Sequence, residues 1–328
     1  MKWHLDCDIP KYSLKIDYSN RIALFGSCFA ENLFDWLKER HFNVYTNPNG
    51  ILFNPKSIYQ TIKQIIETPN SFNEDLIFEK DSIYKSWTHQ GVLFDKSKSN
   101  LLKKIINTQQ QAHQFIQQAD IIIITLGSAY AYIHKALNTI VANCHKFPTN
   151  IFTKQLLSVS DIVADFNFII NRLTEINSKV KFIFSVSPVK YKAYGLINNN
   201  LSKATLLLSI HELCNNNKNC FYFPAYEIVT DELRDYRFFK EDLSHPNDIA
   251  IKYVMNKFKA SLIDESTIQI VERLEKIIQA THHKIQNKQD AQNFVKQQFN
   301  ECLLLEKTYP FFNLNNEKEY FERLMKTI

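Results

Sequence analysis

The sequence predicts an α/β protein: a three-layer α/β/α domain with a mostly parallel, doubly wound sheet, followed by a helical C-terminal extension. Short apolar runs at residues 21–25, 120–126, 181–186 and 220–223 alternate with segments of helical period, the signature of strands that pair in parallel through helical crossovers. Two of those runs stop at a glycine, Gly26 and Gly127, in a chain that has only five glycines. Strand signals cease after Leu262, so residues 1–262 form the α/β domain and residues 263–328 the extension.

Arg21-Ile22-Ala23-Leu24-Phe25 reads as a buried strand ending at Gly26, and Ala30, Leu33, Phe34 and Leu37 then recur at helical spacing over 30–40. Asn47-Pro48-Asn49-Gly50 is a turn, and Asn54-Pro55 introduces a helix over 57–67. Residues 77–94 are strand-like but irregular. A helix over 100–118 leads into Asp120-Ile121-Ile122-Ile123-Ile124-Thr125-Leu126, whose unbroken apolar run marks a strand buried on both faces. A helix over 158–176, the strand 181–186, a helix over 201–215, the strand 220–223 and a helix over 248–262 complete the domain. In the extension Ile268, Val271, Leu274, Ile277, Ile278 and Ile285 keep helical spacing, and Tyr309-Pro310 marks a break. These helices are expected to pack on the core or to form a homodimer.

The composition, 45% hydrophobic and 22% charged in 328 residues, fits a folded globular chain. The formal charge of +5 is scattered without a block of like charge, which argues against nucleic-acid or membrane-surface partners. The six cysteines form no CxxC pair and are expected to be free thiols. Met1-Lys2-Trp3-His4-Leu5-Asp6 lacks the apolar stretch of a signal peptide and the longest apolar run is far too short to span a bilayer, so a cytoplasmic location is expected.

Chemistry concentrates at two places. Phe25-Gly26-Ser27-Cys28-Phe29-Ala30 puts a serine on the turn between a first strand and a first helix. There its hydroxyl would stand at the carboxyl end of the sheet, beside backbone N–H groups able to stabilise an oxyanion. A Gly-Ser turn that only caps a helix is the bland alternative. Asp242-Leu243-Ser244-His245, before the last core helix, supplies a base and a group to orient it. At that spacing in a tight turn the carboxylate reaches the ring Nδ1 and leaves Nε2 to face the serine.

This arrangement resembles the SGNH (GDSL-like) hydrolases and, within them, the GSCFA-domain family, named for the string at Gly26 to Ala30. The resemblance covers residues from about 20 to 260. It includes Asn47-Pro48-Asn49-Gly50, Thr125-Leu126-Gly127-Ser128, Asn143-Cys144-His145-Lys146, Ser185-Val186-Ser187-Pro188-Val189, Ser202-Lys203-Ala204 and Asp231-Glu232-Leu233-Arg234. It implies Ser27 as nucleophile, His245 as base and Asp242 as its orienting acid. It also implies an oxyanion hole built from the N–H of Ser27 or Cys28 and that of Gly50. SGNH enzymes carry Gly-x-Asn after the third strand, whereas this chain reads Gly127-Ser128-Ala129. Losing that donor would cost about 3 kcal/mol of transition-state stabilisation, so Ser128, Asn49 or Asn143 is expected to substitute. Lys190-Tyr191 stands where the family is expected to show Arg-His, and no role in substrate binding is assigned to that loop.

Asn143, His145 and Lys146 are candidate substrate contacts, as is Arg234; the alternative for residues 231–237 is a buried ion-pair network holding the final loop. His89, near Trp87, is a further candidate for the pocket wall. Cys28, as a rival nucleophile, is expected to point away from the site, and His282-His283 to form a solvated face. One Cys beside one His makes no metal site, and no metal or other cofactor is implied. The function expected is serine-dependent hydrolysis of a small acyl ester, such as acetyl, on a carbohydrate or similar metabolite. An O-acyltransferase with the same triad, or a catalytically silent binding module, are the alternatives.

Overall fold

The computed structural model describes residues 5–282 and 288–327. In chain order the elements are β1 (Arg21–Gly26), α1 (Cys28–Glu39), β2 (Asn43–Thr46), α2 (Pro55–Glu67), β3 (Ile77–Lys80), β4 (Ile83–Ser86), α3 (Lys98–Ile116) and β5 (Ile121–Leu126). Next come β6 (Tyr130–His134), β7 (Thr139–Val141), β8 (Phe152–Leu156), α4 (Val159–Ile176), β9 (Lys181–Val186), α5 (Gly195–Asn216), β10 (Cys220–Tyr222) and the single turn α6 (Ala225–Glu227). The chain ends in α7 (Asp248–Leu262), α8 (Glu265–His282), α9 (Lys288–Thr308) and α10 (Asn315–Thr327).

The central sheet has the order β10-β9-β5-β1-β2, and every pairing in it is parallel. The chain therefore leaves β1 toward β2 on one side and returns to β5 on the other. That reversal opens a crevice at the carboxyl ends of β1 and β5, where doubly wound sheets place their ligands.

Alternation along the strands divides the core. Ile22 and Leu24 of β1 and Ile121 and Ile123 of β5 face α1 and α7 through Leu33, Leu37, Val254 and Phe258. Ala23, Phe25, Ile122 and Ile124 face α2, α3, α4 and α5 through Ile62, Ala112, Phe166 and Leu206. Each such Ile, Leu, Val or Phe side chain contributes roughly 1.5–3 kcal/mol, which fixes strand register.

Two small antiparallel sheets, β3-β4 and β7-β6-β8, sit beside this framework. Their shared core stacks Phe78 on Trp87 with ring centroids 4.1 Å apart, and Val141, Phe147 and Phe152 close it. The sequence pattern predicts no strand at β2 or at β6 to β8. These strands are three to five residues long and half-buried, so their alternation is weak.

The extension packs on the core. Val271 of α8 joins the cluster of Val254 and Leu262, and Glu275 accepts from Arg40 Nε and Lys259 Nζ, each at 2.9 Å. Leu274, Ile277, Val295, Leu305 and Phe321 form its own core. Tyr18 stacks on Phe42 at 4.4 Å and meets Phe312 edge-on at 4.9 Å. His282 is exposed at the end of α8, and His283 lies outside the described residues. Among the described residues no helix is long and apolar enough to cross a membrane.

Candidate active site

Gly26 ends β1 with φ +128°, and a Cβ built on it would lie 2.1 Å from the carbonyl oxygen of Thr125. Only glycine lets β1 run this close to β5 and still turn into α1. Asn47 locks the turn from the far side, accepting from Gly26 N–H at 2.8 Å through Oδ1 and donating through Nδ2 to Glu31.

Ser27 is the N-cap of α1, and its Oγ accepts from Phe29 N–H at 3.3 Å. The same hydroxyl lies 2.8 Å from Thr125 Oγ1, which also accepts Ser27 N–H at 2.9 Å. Ser27 is 1% exposed, and among the described residues no hydrogen bond joins it to His245.

Residues 239–246 form a closed loop. Phe239 bridges Pro246, Lys240 N–H donates to His245 O at 2.8 Å, and Leu243 takes a positive φ of 54° to complete the turn. Asp242 accepts from Ser244 and His245 N–H at 2.9 and 3.0 Å through Oδ1, and holds His245 Nδ1 at 2.5 Å through Oδ2. These backbone amides first, and His245 with them, hold the Asp242 carboxyl well below the usual carboxylate range. An ionised Asp242 needs a donor at Nδ1, which leaves His245 Nε2 with the lone pair a general base requires.

His245 lines a cavity of about 220 Å³ together with Cys28, Phe29, Ser187, Val189 and Lys240. Ser27 is not among its lining residues. Cys28, expected to point away from the site, lines the same cavity as His245, while Ser27 is turned inward as the cap of α1. Burial raises the Cys28 thiol; its own amide and, more weakly, Lys240 act the other way, while Glu31 reinforces the rise. In the loop after β9, Ser187, Pro188 and Val189 wall the cavity and Lys190 N–H donates to Ser244 O at 3.0 Å.

Of the expected oxyanion donors, Gly50, Ser128 and Asn49 are engaged within the protein. Gly50 N–H donates to Asn47 O at 2.8 Å, so in this conformation it is not available to a substrate. Gly127 and Ser128 N–H both donate to Phe53 O, at 2.8 and 2.9 Å. Ser128 Oγ accepts from Tyr130 N–H at 3.1 Å and lies 3.3 Å from Ser202 Oγ. Asn49 Nδ2 donates to Thr88 O, and Asn49 lines a separate cavity of about 260 Å³ with Ser57, Thr61 and Gln109.

The other expected contacts do not line the His245 cavity. His145 is buried against Phe78 and Trp87, its Nε2 is 3.0 Å from Ser86 O, and burial lowers its pKa. Asn143 Oδ1 accepts His145 N–H in a local turn, while Lys146 is exposed and its carbonyl takes Lys80 Nζ at 3.2 Å. His89 is fully buried with Nδ1 3.0 Å from Ser86 Oγ. Residues 231–237 are not a buried ion-pair network. Asp231, Arg234, Asp235 and Arg237 are exposed, and only Glu232 is buried, paired with Lys257 Nζ at 2.9 Å.

Sequence reasoning gave no role to Lys203. It is 1% exposed on α5 and donates at 2.6 Å to both Gly127 O and Ser187 O, clamping the loops after β5 and β9. Burial pushes its ammonium down to about 7.

The fold and site define an α/β protein with an Asp-oriented histidine over the topological switch point of a parallel sheet. The sequence profile of the GSCFA family matches residues 21–258, and the chain belongs to that family. No curated protein matches the chain. Among solved structures, a carbohydrate esterase family 3 protein from Talaromyces cellulolyticus is similar at 7% identity and TM-score 0.34, over 77% of this chain and 98% of that one.

Proposed function

We propose that the chain is an acyl-ester hydrolase. In this reading the β1–α1 turn, residues Ser27 and Cys28, supplies the nucleophile, His245 is the general base and Asp242 orients it. The observation that carries this reading is the His245 Nδ1–Asp242 Oδ2 bond of 2.5 Å on a ring that shares a cavity with the start of α1. A base held in one tautomer beside a helix N-terminus can deprotonate a nucleophile and return the proton to a leaving alcohol, while α1 favours the developing negative charge. The small cavity favours a short acyl group such as acetyl, carried by a carbohydrate or similar metabolite, and the same triad would serve transfer to a second hydroxyl.

Turnover of 4-nitrophenyl acetate and of acetylated sugars tests this. The wild type is expected to hydrolyse at least one of them, with kcat/KM falling about 10³-fold or more in His245→Ala and by about 10²–10⁴-fold in Asp242→Asn. The commitment of Gly50, Gly127 and Ser128 amides to internal bonds favours the second reading, a silent binding module. Absence of turnover in folded wild type would favour it over the hydrolase, and turnover indifferent to His245→Ala would remove His245 as the base.

A further inference from the structure

We propose that the attacking atom is Cys28 Sγ and that Ser27 is a positioning residue. This rests on the hydrolase reading and names the nucleophile within it. Of the adjacent Ser27 and Cys28, Cys28 lines the His245 cavity and Ser27 does not. Ser27 Oγ is held in the protein interior by Thr125 Oγ1 at 2.8 Å and by Phe29 N–H at 3.3 Å, and Ser27 is 1% exposed. Cys28 is partly exposed and lines the cavity that His245 also lines.

The roles divide by chemistry. Ser27 does what an N-cap does, fixing the first turn of α1 against β5 so that the following side chain projects over the carboxyl edge of the sheet. Cys28 stands in the first turn of a 12-residue helix, where the N-terminal dipole favours a thiolate. Burial opposes that charge, as does Glu31, so the free thiol stays protonated and depends on His245 to take its proton. Lys240, on the same cavity wall, acts on the thiol in the favourable sense.

The steps balance without any outside reagent other than ester and water. The Cys28 S–H proton passes to His245 Nε2, and the sulfur forms a bond to the ester carbonyl carbon. The C–O bond to the alcohol breaks, and that oxygen takes the proton from His245. Water then attacks the thioester, giving its proton to His245; the C–S bond breaks, the acid leaves, and the proton returns to sulfur.

Alkylation of the intact chain with iodoacetamide, read peptide by peptide, tests the proposal independently of turnover. Cys28 is expected to react at least ~10-fold faster than the half-buried Cys144. His245→Ala should remove that advantage without changing Cys144, and Ser27→Ala should reduce it while leaving it dependent on His245. Where the wild type turns over an ester, complete Cys28 alkylation is expected to abolish turnover. Cys28→Ala should likewise abolish it with an unchanged circular dichroism spectrum, whereas Ser27→Ala should keep measurable activity. An acyl group trapped on the Cys28 peptide and released by neutral hydroxylamine would support the thioester. The idea is overturned if Cys28 reactivity is indifferent to His245→Ala, if turnover survives Cys28→Ala, or if a fluorophosphonate adduct forms on Ser27. Turnover that needs His245 and Ser27 but not Cys28 would leave the hydrolase standing and remove only the thiol.

Discussion

Gly26 is the residue on which the geometry of the site turns. At φ +128° with β5 backbone 2.1 Å from where a Cβ would stand, it admits no side chain without moving one strand or the other. Gly26→Ala is therefore expected to cost about 3 kcal/mol or more, combining backbone strain with overpacking against Thr125. A urea titration monitored by circular dichroism would measure it, and a loss under about 1 kcal/mol would mean the turn tolerates a different path. Whatever displaces Gly26 also displaces Ser27 and Cys28 from Thr125 and His245, so ester turnover should fall with stability. The same logic explains Asn47, buried and left-handed at φ 35°, whose side chain holds the Gly26 amide.

Among the elements, α5 does more than cover the sheet. Ser202 Oγ receives Ala129 N–H at 2.7 Å and the neighbouring Lys203 donates to Gly127 O and Ser187 O, so one helical turn pins the loops after both β5 and β9. The loop after β9 sets part of the cavity wall through Ser187 and Val189. Lys203→Met keeps much of the side-chain volume but leaves two buried carbonyls without their donor, an expected loss of roughly 2–5 kcal/mol. A fall in Tm would show the structural part. A rise in KM at a temperature where the variant is folded would show that the loops have drifted, and unchanged KM would confine Lys203 to stability.

For the whole molecule, the buried histidines predict acid lability. Burial lowers His89 to about 3, and His145 shifts in the same direction. Above about pH 6.5 both are neutral in folded and unfolded chains and contribute nothing to pH dependence. Below it the unfolded chain binds protons that the folded chain refuses, so stability falls as pH drops, until the folded value is reached. Each ring contributes up to ~1.4 kcal/mol per pH unit over its window. Denaturant titrations at pH 7 and pH 5 should show this loss, and His89→Gln should flatten it. An identical slope in the variant would assign the lability to other groups.

The sequence by itself determined the layered α/β architecture, because unbroken apolar strands such as Ile121–Leu126 have no stable place except between two helical layers. It also determined the Asp242–His245 pair, whose contact is set by a four-residue turn and needs no distant partner. Tertiary structure decided the rest. Which of two adjacent side chains at Ser27-Cys28 meets the cavity depends on Thr125, 98 residues away, which takes up the serine. Whether Gly50, Gly127 and Ser128 offer free amides depends on Asn47 and on Phe53, whose carbonyl accepts two of them. The burial of His145 and the exposure of Arg234 follow from packing of β3, β4 and the last loop, contacts that local pattern does not encode. Periodicity reports which face of an element is apolar; it does not report what stands opposite, and a site is made of what stands opposite.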